Sequence, residues 1–428
     1  MAQRIKPKSQ SEKRIDALAL KEGGVGVFVN ATKTAERFND YSEAALTKTA
    51  GEFSHAEGKY TEASGWCAHA GGSRTVANKK CAHAEGELTE ASGDCSHAEG
   101  SGSVASGNNS HAEGTGSEAT SNACHAEGNG TLSSGGSSHS EGFKTEALGS
   151  SSHAEGSNSV AKGAQSHAEG DATEASGNNS HTGGRLAKAS GFCSFAHGWN
   201  VIADENNQTA VGQANIPSAA MGRSGIVFTV GCGHHDSSGT PTRDTAFFVH
   251  DYGSVYALGQ YLTIGADYAE YYEWLDDNLN NEDRTGLFVT VDGRKIKFAN
   301  SNANYILGVV SATPSIVGNA HESNWKNRFK KDIFGRYIRD EEGHKITSDE
   351  YDETQKYTPR SLRPEYAPVG THGQLIVIDD GTCEINSYCG VADGGIGTKC
   401  DDMEKVYRGL AFRVIERLDE THIRIVIK

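Results

Sequence analysis

Between Ser54 and Trp199 the apolar and polar positions form neither a helical stripe nor a long strand. Small residues and polar ones alternate in very short runs, SHAE and TEAS, each closed by glycine. Two-residue alternation is a strand signal, and the frequent glycines argue against helix. The runs recur every 14 residues without insertion or deletion, with histidine at His55, His69, His83, His97, His111, His125, His139, His153, His167 and His181. Glycine follows each histidine three places on, and glutamate two places on except at Gly71 and Gly183. Eight places on stands alanine, with Ser133 the one substitute. At the next step, Phe195, the pattern decays.

A fixed period predicts stacked units, and two short strands with two tight turns fit 14 residues as one coil of a parallel β-solenoid. Strand alternation puts Ser54 and Ala56 on one face and His55 and Glu57 on the other. Thr61 and Ala63 likewise share a face, opposite Glu62 and Ser64. Serine, threonine and alanine inside imply a narrow interior. Ten coils at about 4.8 Å make a rod of roughly 48 Å. So thin a core buries little apolar surface, so association in closed symmetry is expected.

The SHAEG-x-x-T-x-ASG repeats resemble the head of YadA-like trimeric adhesins. That resemblance implies a mostly β fold: a homotrimeric left-handed parallel β-roll, one sheet of each roll facing the three-fold axis. It implies no membrane anchor. No apolar h-region follows Met1 and no apolar run approaches 18 residues, so neither signal peptide nor membrane insertion is expected. The reading is a chain made in the cytosol. A net charge of −16 over 428 residues argues against a nucleic-acid partner.

Nine cysteines could suggest disulfides. Cys67, Cys81 and Cys95 lie one coil apart and should stack. The odd number and the absent export signal predict reduced thiols acting as small hydrophobes. Cys383, Cys389 and Cys400 lack CxxC spacing and a fourth ligand, so no zinc site is expected there. The ten-histidine ladder reads as structural: stacked imidazoles, each near a glutamate that accepts a hydrogen bond, lining an interface. Metal or anion binding and receptor contact are the alternatives, and no metal or cofactor is assigned.

The remaining chain divides by composition. Residues 1–47 begin basic, continue through GGVGVFVN as a short strand, and form the candidate attachment segment. The β-roll occupies 48–203. From 204 to 266 the period is lost and β-character remains, with FFVHDYGSVYA a hairpin, as expected of a connector that seals a trimer. Residues 267–428 hold strand candidates LFVTV, YILGVVS and QLIVID, a helix over NWKNRFKKDIF, and a last hairpin of FRVIERL with HIRIVIK.

This last region, opening GADYAEYYEW, closely resembles the C-terminal autoprocessing chaperone domain of phage tail spikes and neck appendages, a glutamic-type self-cleaving peptidase. The resemblance implies an intramolecular chaperone, mixed and mainly β, that trimerises the fibre and is then clipped off. Carried over, the scissile bond joins Ala266 to Asp267 and Glu270 is the catalytic acid/base. One turn of chain would fold Glu270 back over the bond. Asp267 would protonate the departing nitrogen, and aromatic neighbours would shield Glu270 from water. Ala266 departs from the serine of the processed family pattern.

The function expected is a trimeric tail fibre of a phage or prophage-derived particle, located in the virion tail. Its partners would be its own copies, a tail or baseplate protein through the N-terminus, and a host-surface glycan or protein. The alternatives are a bacterial or spore-surface adhesin fibre and a polysaccharide-degrading tail spike. Turnover of an external substrate is not expected, because a regular acid ladder suits a scaffold better than one active site.

Overall fold

In a computed structural model, the described residues are 35–38, 46–320, 328–354 and 356–428. The expected attachment segment therefore lies almost wholly outside them, as does GGVGVFVN. The chain divides into two compact units between Gln260 and Tyr261.

The first unit is a parallel β-solenoid of about 12 turns. Each coil gives one strand to a 13-stranded sheet and one to a 15-stranded sheet. Register is one repeat: His111 lies beside His97 and His125, and Ala105 beside Ala91 and Ala119. Ala98, Ala105, Ala112 and Ala119 are fully buried, and the Thr61, Thr89, Ser103 and Ser117 positions are closed to solvent with them. Alanine contributes little apolar area, about 0.8 kcal/mol per buried carbon. Inter-coil backbone hydrogen bonds are therefore a large part of what holds the rod.

Two features of the coil demand special backbone. The glycine after each His-x-Glu, such as Gly114 at φ +103°, has its missing Cβ about where the next coil's carbonyl sits. The turns need left-handed residues, and non-glycines such as Leu88, Asn109 and Lys144 adopt them. Cys67, Cys81 and Cys95 occupy this second kind of position. They are free, as expected, but exposed, so they do not act as small hydrophobes there; Cys124 is the buried one in the roll.

Stacking runs further than the sequence period suggested. Phe195–Trp199 pairs in parallel with Thr209–Gln213, which pairs with Ile226–Cys232. The coil persists because Ala196, Ala210 and Gly212 keep the small and glycine positions while the histidine position changes. Ile226–Cys232, Thr245–His250 and Val255–Ala257 then finish the sheet antiparallel, with the expected hairpin turning at Asp251–Gly253.

The second unit is built on a ten-stranded sheet. Five strands, Asp267–Trp274, Lys295–Phe298, Phe288–Asp292, Gly308–Val310 and Tyr366–Ile378, close on themselves because the first also pairs with the last. Trp274, Val289, Ile296 and Val369 form one buried cluster, and Phe288, Val377, Val414, Ile423 and Ile425 another. The final hairpin, Phe412–Arg417 with His422–Ile427, is as expected. The helix over NWKNRFKKDIF is not. Its residues 324–327 lie outside the described residues, and the rest leads into a turn: Lys331 bridges Tyr337, while the Asp332 carboxylate accepts from the Phe334 and Arg336 amides around Gly335. Asp-x-x-Gly turn chemistry outcompetes helix propensity there. Among the described residues no helix is long and apolar enough to cross a membrane.

Candidate functional site

Two clusters of chemistry stand out, one in each unit. In the solenoid all ten histidines stack, with ring centroids 4.6–5.1 Å apart from His55 to His181. Beside them runs a groove of about 770 Å³ lined by Glu85, Glu99, Glu113, Glu127, Glu141 and Glu155. The expected imidazole-to-glutamate hydrogen bond is not what forms. Nε2 of His69, His97, His111, His125, His139, His153, His167 and His181 is buried and makes no hydrogen bond. Glutamate oxygens stand 3.3–3.9 Å off, as for His167 with Glu155 and His125 with Glu113. The strand geometry sets this, because His and Glu two apart project side by side instead of facing each other. Burial, then the neighbouring imidazoles, holds His69, His97, His125, His139 and His167 below the ordinary histidine range. The carboxylates crowd one another too: bonding to Glu113 and Glu141 pushes Glu127 up to about 7.

In the second unit, Asp267 opens the strand Asp267–Trp274. Ala266 is exposed, and its carbonyl accepts a hydrogen bond from the Gln374 amide at 3.0 Å. Gly373, at φ +110°, permits this approach, since a Cβ there would stand 2.2 Å from that same oxygen. The Asp267 carbonyl accepts from the Ser315 amide at 2.8 Å. Asp267 itself is buried, and its Oδ2 lacks a partner. Burial raises its carboxyl above the usual range, with Ser311 pulling the other way. A cavity of about 340 Å³ touches Ala266 and Asp267, with Ser311, Asp283, His422 and Arg424 on its wall.

Glu270 lies on the same strand but not at the bond. Its Oε1 accepts from the Tyr268 hydroxyl at 2.7 Å and its Oε2 from Tyr272 at 3.3 Å. Alternation puts Glu270 on the face opposite Asp267, about 10 Å along the chain at roughly 3.3 Å per residue. The single turn expected over this segment is absent because Asp267–Trp274 pairs with Tyr366–Ile378. Of the expected aromatic surround, Tyr268 and Tyr272 reach Glu270 directly, whereas Tyr271 alternates to the other face. Gln374, Gly373 and Ser315 were not singled out from sequence. The only local signal was glycine at both ends of GTHG inside an otherwise apolar strand. Cys383 and Cys389 are buried against one another, and Cys383 drives the Cys389 thiol upward.

Residues 242–415 match the family model described as Peptidase_G2, IMC autoproteolytic cleavage domain. The match begins ahead of Asp267 and ends inside the strand Phe412–Arg417. The pre-neck appendage protein of Bacillus phage B103 is 33% identical over 138 residues, covering 30% of this chain and 16% of that protein. That of Bacillus phage phi29 is 34% identical over 142 residues, again 30% and 16%. The putative phage-related protein YobO of Bacillus subtilis (strain 168) is 34% identical over 146 residues, covering 32% of this chain and 18% of its own. The chain thus spans about a sixth of the length of these curated relatives. Among solved structures, the pre-mature bacteriophage phi29 gene product 12 is 19% identical with a TM-score of 0.46, covering 89% of this chain and 50% of that one. A β-solenoid of His-rich coils thus leads, in one chain, into a region that matches the Peptidase_G2, IMC autoproteolytic cleavage domain and is similar to phage pre-neck appendage proteins.

Proposed function

We propose that this chain is an appendage fibre of a phage or prophage-derived particle, assembled as a homotrimer by its C-terminal domain and cut once by itself between Ala266 and Asp267. The observation that carries the reading is the Ala266 carbonyl held by the Gln374 amide next to a buried Asp267, within the matched region. A backbone N–H on that oxygen supports charge development as water adds. Glu270 takes the proton from that water, and Asp267 in its protonated form, which burial favours, delivers one to the departing nitrogen, its own backbone amide. The products are a carboxylate at residue 266 and a free amine at residue 267.

Glu270 must come to the bond for this chemistry. The ladder is irregular between Tyr268 and Ala269, where the facing strand carries the extra residue Thr371, and this is where the segment yields. The chain before the bond is open as well, with Leu262 and Ile264 fully exposed. Domain limits of 1–47, 48–203, 204–266 and 267–428 go with this reading, as do virion location, attachment through the N-terminus and contact of the rod with the host surface.

Two measurements test it. The intact mass of purified protein should fall to a fragment ending at Ala266, and a persistent 45.4 kDa chain would count against processing. Light scattering should return three copies, because an alanine-lined rod has too little core to stand alone. A monomeric mass for the folded full-length chain would end the trimer proposal.

A further inference from the structure

The histidine–glutamate groove has a geometry that a stacking role alone does not explain. From it we infer that the roll binds a row of divalent zinc-class cations, each held by imidazole Nε2 and carboxylate oxygens from successive coils. Three separate triads bring one ligand atom from each residue within 4.8 Å of the others: Glu99, His111 and Glu113; His125, Glu127 and His139; Glu141, His153 and Glu155. Around a tetrahedral zinc, with bonds of about 2.0–2.2 Å, ligand atoms lie roughly 3.3–3.6 Å apart. Within these triads the Nε2-to-oxygen separations are 3.8 Å at His111–Glu113, 3.7 Å at His125–Glu127 and 3.7 Å at His153–Glu141. These are too long for hydrogen bonds and close to the edge of such a polyhedron.

A second observation points the same way. The Nε2 atoms on this side are buried without a partner, a condition native structures rarely leave standing. The facing carboxylates have no Lys or Arg among the groove's lining to offset their charge. A divalent ion satisfies both at once: it takes the lone pairs of one or two neutral imidazoles and the charge of one or two acids. Imidazole with carboxylate is a zinc-type donor set. Because the three triads share no residue, the expected load is about three ions per chain. Binding would also tie coil to coil, adding cross-links where the alanine interior contributes little.

The test uses the full-length chain, stripped with EDTA and then titrated with zinc chloride at neutral pH. About three zinc ions per chain should remain after gel filtration, with a higher melting temperature and protons released on binding. The variant carries Glu113→Gln, Glu127→Gln and Glu141→Gln together. Stacked amides suit this position, so in EDTA it should melt no lower than the parent. It should bind zinc about tenfold or more weakly. Less than one zinc per chain in the parent, or equal zinc in parent and variant, overturns the inference. Should the variant fail to fold, cobalt(II) spectra of the parent decide: nitrogen and oxygen coordination supports the row, whereas a thiolate charge-transfer band assigns the metal to cysteine and overturns it.

Discussion

Glu270→Gln is expected to leave the chain uncut at Ala266–Asp267 while the assembled particle keeps its size. The amide has the shape of the carboxylate but cannot take a proton from water. Losing a positioned general base costs on the order of 100- to 10,000-fold in rate. The fold should tolerate the change, because Tyr268 can still donate to the amide oxygen and the Tyr272 hydroxyl can accept from the amide nitrogen. Ala266→Ser is the contrasting variant. Residue 266 is exposed, so a hydroxyl meets no steric obstacle, and cleavage should be unchanged or faster. Both are read by denaturing gel and intact mass beside the parent. Cutting of Glu270→Gln at the parent's rate removes Glu270 from the mechanism. A parent that is never cut, beside an Ala266→Ser variant that is, would mean that the alanine has silenced the peptidase.

The second large effect separates two glycines that look alike in sequence. Gly114 and Gly116 both have positive φ, +103° and +62°. A Cβ on Gly114 would stand 2.1 Å from the Gly128 carbonyl oxygen of the next coil, whereas one on Gly116 meets nothing within 4 Å. Gly114→Ala must push two coils apart and break the pairing of Glu113 with Glu127 and of Gly114 with Gly128. We expect a loss of about 4 kcal/mol or more, at the extreme of single substitutions, seen as a lower melting temperature and protease cutting within the roll. Gly116→Asn should change stability by about 0.5 kcal/mol or less, because Leu88, Lys144 and Asn158 already adopt this conformation one or more coils away. Equal melting of the two variants would mean that coil spacing, not turn conformation, is the tolerant feature.

How much was legible follows from where each contact comes from. In the roll every residue's neighbour is its own repeat 14 places away, so the period states the contact map outright. The solenoid, its two faces and its small interior could be read because Ser, Thr and Ala recur where Ala105 and Ala112 are buried. The coil through Gln213 was missed because its outward residues had changed while Ala210 and Gly212 kept the frame. Strand candidates in the second unit were also readable, since period-two patterning is local. Turn chemistry at Asp332 overrode a helix pattern for an equally local reason that propensity did not rank.

The candidate sites divide along the same line. Histidine and glutamate in one ladder could be seen in the chain. Only the folded roll decided that eight of the ten Nε2 atoms sit buried without a hydrogen bond to glutamate, because that depends on ångström-scale projection from adjacent strands. The bond at Ala266–Asp267 and the carboxylate at Glu270 were named from a motif. Tertiary pairing then determined that Asp267 is buried, that Glu270 turns to the other face, and that the Gln374 amide, distant in sequence, reaches the Ala266 carbonyl. A repeat writes its own contacts into the chain, whereas pairing between two unlike strands leaves no mark on either until they meet.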